Sequence, residues 1–306
     1  MNNPISSLEN NIFTNVYGLG RSLLAMSLFL DLSFTHSFVY FPEFVFNSGA
    51  DNSLVIPNFF LIFGSQNLNI TVGIAIFTMI WVISGYTPQI TGILHAWMAY
   101  SFFTGSIMIE GGNQIAQIIT ILLIPVTLFD KRINHWAKTE FFSYNRPPAI
   151  EYFCKSCLMI IGVQMSIVYF FAVAVKVNTS VWQNGSAIYY WFNDSIFGLP
   201  EAFRSFLYPL TSSRIFSPLM TWSVLILEAI LFAALFMSQE RKKILLPIGL
   251  IFHFMIILCH GLWSFFFAMA GGLVIYLYPS YEYISFRYLR SIGFSFQKQD
   301  RKKQVI

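Results

Sequence analysis

The sequence predicts an all-α fold, a polytopic integral membrane helical bundle of roughly eight spans, and three observations carry it. Hydrophobic residues make up 56% of the 306 positions and charged residues 10%, with a mean hydropathy of +0.62, which is outside the range of ordinary soluble domains. Aromatic content is high, with 34 Phe, 15 Tyr and 7 Trp, as expected where side chains face lipid and its interfaces. The apolar residues fall into successive stretches of membrane-crossing length, with lysine and arginine gathered between particular stretches.

The spans read in order. Val16 to Tyr40, Ile70 to Ser84, Ile90 to Ile109 and Gln114 to Phe129 form the first four, the second and fourth short enough to be tilted or partial. A fifth runs from about Ala149 to Val177 and a sixth from Phe216 to Ser238. The tract from Ile244 to Tyr278 is too long for one crossing at about 1.5 Å of rise per residue, so it is predicted to fold back near Cys259-His260-Gly261.

Charge distribution sets a topology. Lys131, Arg132, Lys138 and Arg146 lie between the fourth and fifth spans, and Arg241, Lys242 and Lys243 between the sixth and seventh. Arg287, Arg290, Lys298, Arg301, Lys302 and Lys303 occupy the tail. With eight spans all of these share one side, which the positive-inside rule makes cytoplasmic, together with both termini. Residues 1–280 then read as one transmembrane domain with outer loops 41–68 and 178–215, and 281–306 as a basic cytoplasmic tail. In that tail, Phe286, Tyr288, Leu289 and Ile292 among Arg287 and Arg290 suit either an interfacial helix or a plain basic extension. No basic segment precedes the first span, so it is expected to stay as an anchor. The basic residues form no aromatic-interleaved stripe of the kind that binds nucleic acid, and three cysteines cannot frame the fold with disulfides.

The outer segments hold the candidate site. Glu110, Asn113, Gln114 and Gln117 lie at i, i+3, i+4 and i+7, one stripe of a helix, suited to holding a peptide backbone or a proton, or simply to capping the helix. Segment 41–68 reads as an ordered outer cap. Segment 178–215 carries Trp182, Tyr189, Tyr190, Trp191, Phe192 and Asp194, too aromatic for free solvation, and is predicted to form a re-entrant or interfacial lid. Glu110 and Lys176 are the candidate catalytic groups, and Asn113, Gln114, Trp182, Tyr189, Tyr190 and Asp194 the candidate substrate contacts. A lysine desolvated among Val and Phe can act as a base, while one at a helix end ordinarily snorkels to headgroups.

Inside the membrane, Asp31, His95, Glu228 and His253 are the polar residues that need partners. Arg21 and Asp31, ten residues apart, are separated by about 15 Å and cannot pair; Arg21 is expected to reach the inner headgroups and Asp31 to find a partner on another helix. His253 and His260 are too far apart for one metal ion, so interhelical hydrogen bonds, with Glu228 as one candidate partner, are favoured and no metal site is expected. The spacing of Cys154 and Cys157 suits a redox pair but lacks a thioredoxin-like context. ATP-binding loops, Ser-His-Asp arrangements and His-Glu-x-x-His are all missing.

Four ordered blocks resemble the sporulation-delaying protein SdpB family: Gly85-Tyr-Thr-Pro-Gln-Ile-Thr-Gly-Ile-Leu-His95, Ile109-Glu-Gly-Gly-Asn-Gln-Ile-Ala116, Leu123-Ile-Pro-Val-Thr-Leu-Phe-Asp-Lys-Arg-Ile-Asn-His-Trp136, and Ala187-Ile-Tyr-Tyr-Trp-Phe-Asn-Asp-Ser-Ile-Phe-Gly-Leu-Pro200. That resemblance implies membership of the HTTM group of membrane proteins, which also contains the vitamin K-dependent gamma-glutamyl carboxylase. It further implies a bacterial cell-membrane protein needed to mature a secreted antimicrobial peptide toxin. The implied partners are the toxin precursor, an SdpA-type protein and membrane lipid, with no nucleic acid; no cofactor is assigned. Lys176 followed by Trp182-Gln-Asn-Gly185 is similar to the carboxylase stretch with a lysine before Trp-x-x-Gly, although alignment on Trp182 sets that lysine opposite Val177. The readings carried forward are a maturation factor or enzyme at the outer face, an exporter or immunity protein for the peptide, a carboxylase-like membrane enzyme, and a scaffold for a protease-like partner.

Overall fold

A computed structural model describes residues 11–47, 56–138, 147–195 and 197–284. Thirteen α-helices are present among them: α1 Asn15–Phe34, α2 Ser37–Tyr40, α3 Glu43–Asn47, α4 Leu68–Ser84, α5 Pro88–Gly105, α6 Gly111–Phe129, α7 Pro148–Val177, α8 Ser180–Gln183, α9 Ala187–Asn193, α10 Glu201–Thr211, α11 Phe216–Ala233, α12 Gln239–His260 and α13 Trp263–Leu277. Short 3₁₀ turns at Ser65–Asn67 and Ala234–Phe236 extend α4 and α11. With those turns included, five helices are long and apolar enough to cross a membrane: Ser65–Ser84, Gly111–Phe129, Pro148–Val177, Phe216–Phe236 and Gln239–His260. The apolar α13 is shorter. Polar residues dilute α1 and α5, and those residues point into the bundle: Arg21, Ser27, Asp31, Thr91 and His95 are all buried.

Local chemistry places the helix ends. Thr14 caps α1, its hydroxyl accepting from the Val16 N–H at 3.2 Å. Gly85 ends α4 in the left-handed region, φ 86°, where a side chain would also run into Trp136. Pro88 and Pro148 occupy the first positions of α5 and α7, where a missing N–H costs nothing. Gly261, φ 70°, ends α12, and α13 begins two residues later and packs back on it. The expected fold-back after His260 is therefore present.

Two apolar cores hold the bundle. Ile119, Leu123, Ile161, Met165, Leu231 and Leu273 belong to the one joining α6, α7, α11 and α13. Phe41, Phe60, Met79 and Phe102 belong to the other, against α1, α4 and α5. α1 and α13 cross closely, so that a Cβ added at Gly271 would lie 2.7 Å from the Gly20 carbonyl oxygen. Small residues let backbones approach in this way.

Three expectations need correction. The first helix stops at Phe34, where Thr35 turns extended with its N–H on the Asp31 carbonyl, and a separate short helix carries Ser37–Tyr40. Arg241, Lys242 and Lys243 lie in the first turn of α12, not in a loop, and Lys242 is buried with its ammonium 5.5 Å from the Tyr276 ring centre. Arg21 is fully buried and does not reach headgroups. Of the segment 41–68, the stretch 56–67 is tied to α5 by Asn58, whose amide donates to the Ser101 carbonyl at 2.7 Å, and by Trp97 donating to the Pro57 carbonyl at 2.9 Å. Ser48 and Gly49, Arg146 and the tail from 285 onward lie outside the described residues.

Candidate functional site

Glu110 precedes α6 and Asn113 sits in its first turn, an arrangement that caps the helix: Asn113 Oδ1 accepts the Glu110 N–H at 2.9 Å in a reciprocal capping box. The amide nitrogen left over on Asn113 donates to Asp31 Oδ2 at 2.8 Å. Tyr40 donates to Asp31 Oδ1 at 3.4 Å. The Ser264 hydroxyl, from the first turn of α13, donates to Glu110 Oε1 at 2.8 Å. Glu110 and Asn113 of the expected stripe thus serve both the cap and the contact to α1, and the partner that Asp31 requires is Asn113. Burial, opposed by the Ser264 hydrogen bond and reinforced by the negative charge of Asp31, pushes the Glu110 carboxyl up to about 7. Gln114 is exposed on the other side of the turn and does not join the group.

Lys176, near the end of α7, forms a bidentate ion pair with Glu228 of α11, its Nζ 2.7 and 2.9 Å from the two carboxylate oxygens. The same ammonium lies 5.3 Å from the Trp182 ring centre, a cation–π contact that fixes its direction. Next to this pair, Tyr169 and His253 Nε2 share a hydrogen bond of 2.9 Å. His253 therefore pairs with Tyr169, and Glu228 with Lys176, where a His253–Glu228 bond had been one expectation. Glu110 and His253 both meet the start of α13, where Ser264 holds Glu110 and the Phe265 ring centre lies 5.7 Å from that of His253.

The aromatic segment packs beside them. Trp182 is buried, and its carbonyl accepts from Trp222 Nε1 at 3.3 Å. The Ile188 N–H donates to the Thr221 hydroxyl at 3.2 Å, tying α9 to α11. His260 meets the edges of Trp191 and Phe192 and hydrogen-bonds the Phe197 carbonyl at 2.5 Å. Tyr189 packs on Tyr190 and Tyr208, away from Lys176. Asp194 is exposed and accepts the Phe197 N–H at 2.8 Å within a local turn. Among the predicted contacts, Asn113 and Trp182 stand at the two polar groups, and Gln114, Tyr190 and Asp194 are exposed.

At the opposite end of α6 lies a polar cluster, where the sequence pointed only to basic residues between two spans. Asp130 pairs with Arg132, 2.7 Å, and accepts from the Tyr17 hydroxyl. The Arg132 guanidinium also donates to the Thr14 and Ala137 carbonyls at 3.1 and 2.8 Å, and Gln89 donates to the Asp130 carbonyl. Arg21 donates to Thr91 at 2.5 Å and sits 3.2 Å from His135 Nδ1. Burial, with the charges of Arg21 and Arg132, pushes His135 down to about 2, so it stays neutral. His95 is buried near Arg21, its Nε2 unpartnered among the described residues. The signal was available in the adjacency of Asp130, Arg132 and His135, three side chains too close to a span end to be solvated loop.

Among the described residues no group of three or more His, Cys, Asp and Glu is placed to hold a metal. Among the described residues neither Cys154 nor Cys157 forms a disulfide; both are buried, and the Cys154 thiol donates to the Pro125 carbonyl at 3.7 Å.

Neither a protein-family model nor a solved structure matches the chain. Two curated relatives from Bacillus subtilis (strain 168) do. The uncharacterized protein YitO is 32% identical over 301 residues, covering 97% of this chain and 95% of the relative. Sporulation-delaying protein SdpB is 34% identical over 290 residues, covering 92% and 88%. Identity at that level along nearly the full length of both sequences, on an all-helical framework with five membrane-capable helices, means that this chain belongs to the sporulation-delaying protein SdpB family.

Proposed function

We propose that this protein is an integral membrane factor required for maturation of a secreted antimicrobial peptide toxin, acting at the outer face of the bacterial cell membrane. The observation that carries the proposal is that two polar groups, Asp31–Asn113–Glu110–Ser264 at the start of α6 and α13 and Lys176–Glu228–Trp182 at the end of α7, are built near the helix ends, the second of them against the aromatic segment 178–215. Carboxyl, amide and ammonium groups over an aromatic surface suit an extended peptide, which needs donors and acceptors for its backbone and a partner for apolar side chains. The name of the relative SdpB, which speaks of delaying sporulation, supports a role in such a toxin system.

Eight spans, α1, α4 to α7 and α11 to α13, put the basic segment after α6 on the same side as the basic tail. The positive-inside rule makes that side cytoplasmic and so turns Glu110 outward. The toxin precursor and an SdpA-type protein are the proposed partners, within an HTTM-like transmembrane domain. Exchange of the Lys176–Glu228 pair with a substrate carboxylate would be the route by which a carboxylase-like enzyme could use the same lysine.

Mass spectrometry of the secreted peptide from cells with and without this protein tests the proposal. A precursor-type mass without it and a mature mass with it is the expected result. An unchanged mass with peptide retained in the cells would move the function to export.

A further inference from the structure

We propose that the first turn of α12 is a binding site for the phosphate of one anionic phospholipid, held by Lys242 and Arg241, with the acyl chains laid along the outer stripe of the same helix. The inference goes beyond the peptide role and needs only that α12 crosses the membrane, which its length and composition allow. Lys242 carries the argument. It is 9% exposed, and lysine is almost never so buried without a partner. Lys155, Lys176 and Lys243 each reach a carboxylate, on Glu151, Glu228 and Glu282 respectively. Among the described residues Lys242 reaches none, and its ammonium has no hydrogen-bond acceptor. What it does meet is the Tyr276 ring, 5.5 Å away. The Tyr276 hydroxyl donates to the Leu231 carbonyl at 3.0 Å and holds that ring in place, so the cation–π contact fixes the direction of the lysine stem. A ring face offsets part of the charge but supplies no oxygen, so the ammonium's donors stay open. They are also within reach from outside. The unpartnered polar atoms that are sealed off belong to Arg21, Ser27, Thr87, His95 and His253, and Lys242 is not among them.

The helix around Lys242 supplies the rest of the site. Ser238 makes no side-chain capping bond to α12, so the first-turn N–H groups are open and the positive end of the helix dipole favours an anion there. Arg241 is exposed and lies about 100° around the helix from Lys242. It heads a stripe continued by Ile244, Ile248 and Ile251, all exposed, at i+3, i+7 and i+10, the face that an apolar spanning helix turns to lipid. A phosphate between Arg241 and Lys242 is therefore followed directly by a bed for its chains, which a soluble anion would not use. The neighbouring charges leave the two cations unmatched. Glu240 lies about 200° around the axis from Lys242, on the opposite face, and Lys243 is neutralised by Glu282. A zwitterionic headgroup brings a cation of its own, so the surplus of positive charge favours an anionic one. On the topology proposed above, this lipid belongs to the inner leaflet.

Native mass spectrometry of the full chain released from nanodiscs of mixed phosphatidylglycerol and phosphatidylcholine tests this. The wild type is expected to retain one phosphatidylglycerol over phosphatidylcholine by about tenfold or more. Lys242→Met keeps the stem and removes the charge, and is expected to cut that preference about fivefold or more. Its melting temperature in phosphatidylcholine nanodiscs should be unchanged or higher, since an unpaired buried charge is gone, so lost retention is not lost folding. Arg241→Gln, at an exposed position, is expected to cut the preference by a similar factor and gives the reading should Lys242→Met be unstable. Lys131→Met, an exposed cation at the end of another helix, should leave it intact. Equal retention of the two lipids by the wild type overturns the proposal, as does an undiminished preference in both site variants. If inorganic phosphate in phosphatidylcholine nanodiscs raises wild-type melting as much as phosphatidylglycerol does, these donors serve a soluble anion and the lipid assignment fails.

Discussion

Replacing Lys176 by methionine separates a structural from a chemical role for that residue. Its ammonium is committed to Glu228, whose side chain is 7% exposed while the lysine's is 24% exposed. Lys176→Met alone leaves a buried carboxylate unmatched and is expected to lower stability by up to about 3 kcal/mol, read as a drop in detergent melting temperature. Lys176→Met with Glu228→Gln should recover most of that loss. Maturation that stays abolished in the stable double variant assigns chemistry to the pair; maturation that returns assigns it packing. Glu110 gives a pH signature. Its carboxyl sits at about 7 in the folded state against an ordinary 4.5, chiefly through burial. Its stabilising contribution is therefore complete below about pH 4.5 and lost as pH rises through 7. Between pH 5 and 8 the wild type should lose melting temperature relative to Glu110→Gln, and parallel curves would refute the assignment.

At the scale of elements, the α1–α13 crossing depends on having no side chain at two positions. A Cβ at Gly271 would meet the Gly20 carbonyl at 2.7 Å and Leu24 Cγ at 2.9 Å, both held in a buried seam. Gly271→Leu is expected to cost about 1–3 kcal/mol or more through overpacking. Gly73, in α4, has nothing within 4 Å of its would-be Cβ, so Gly73→Ala should leave melting unchanged or raise it. Equal damage from both substitutions would mean that glycine matters here through the unfolded state and not through contact. The segment after α6 is held to the α4–α5 turn in a comparable way: the His135 N–H donates to the Gly85 carbonyl at 3.0 Å and the Thr87 N–H to the Ile133 carbonyl at 2.7 Å. These bonds explain why three basic or aromatic residues there fold inward.

For the whole molecule, the arrangement across the membrane is testable by thiol labelling in intact cells once Cys154, Cys157 and Cys259 have been replaced. Asn184 and Lys131 are both exposed, so accessibility is matched. A cysteine at Asn184 should react with an impermeant reagent, and one at Lys131 should not. Reversed labelling would place Glu110 and Lys176 inside and end the outer-face proposal. Lys242 would be a poor probe, because it is buried against Tyr276.

What the sequence determined by itself was the class and the punctuation of the chain. Apolar length placed α4 and α7 closely, and Cys259-His260-Gly261 the break after α12, because these are local constraints of backbone geometry and hydration. It also marked Asp31, Glu110, Lys176, Glu228 and His253 as costly, since an ionisable group near lipid needs a partner wherever it lies. Tertiary structure alone decided who those partners are: Asn113 for Asp31, Tyr169 for His253, Glu228 for Lys176, and His135 with Thr91 for Arg21. Each pairing joins different helices, or a helix to a distant loop. It depends on crossing angles and rotations that glycine contacts and core packing set, and no local periodicity carries that information.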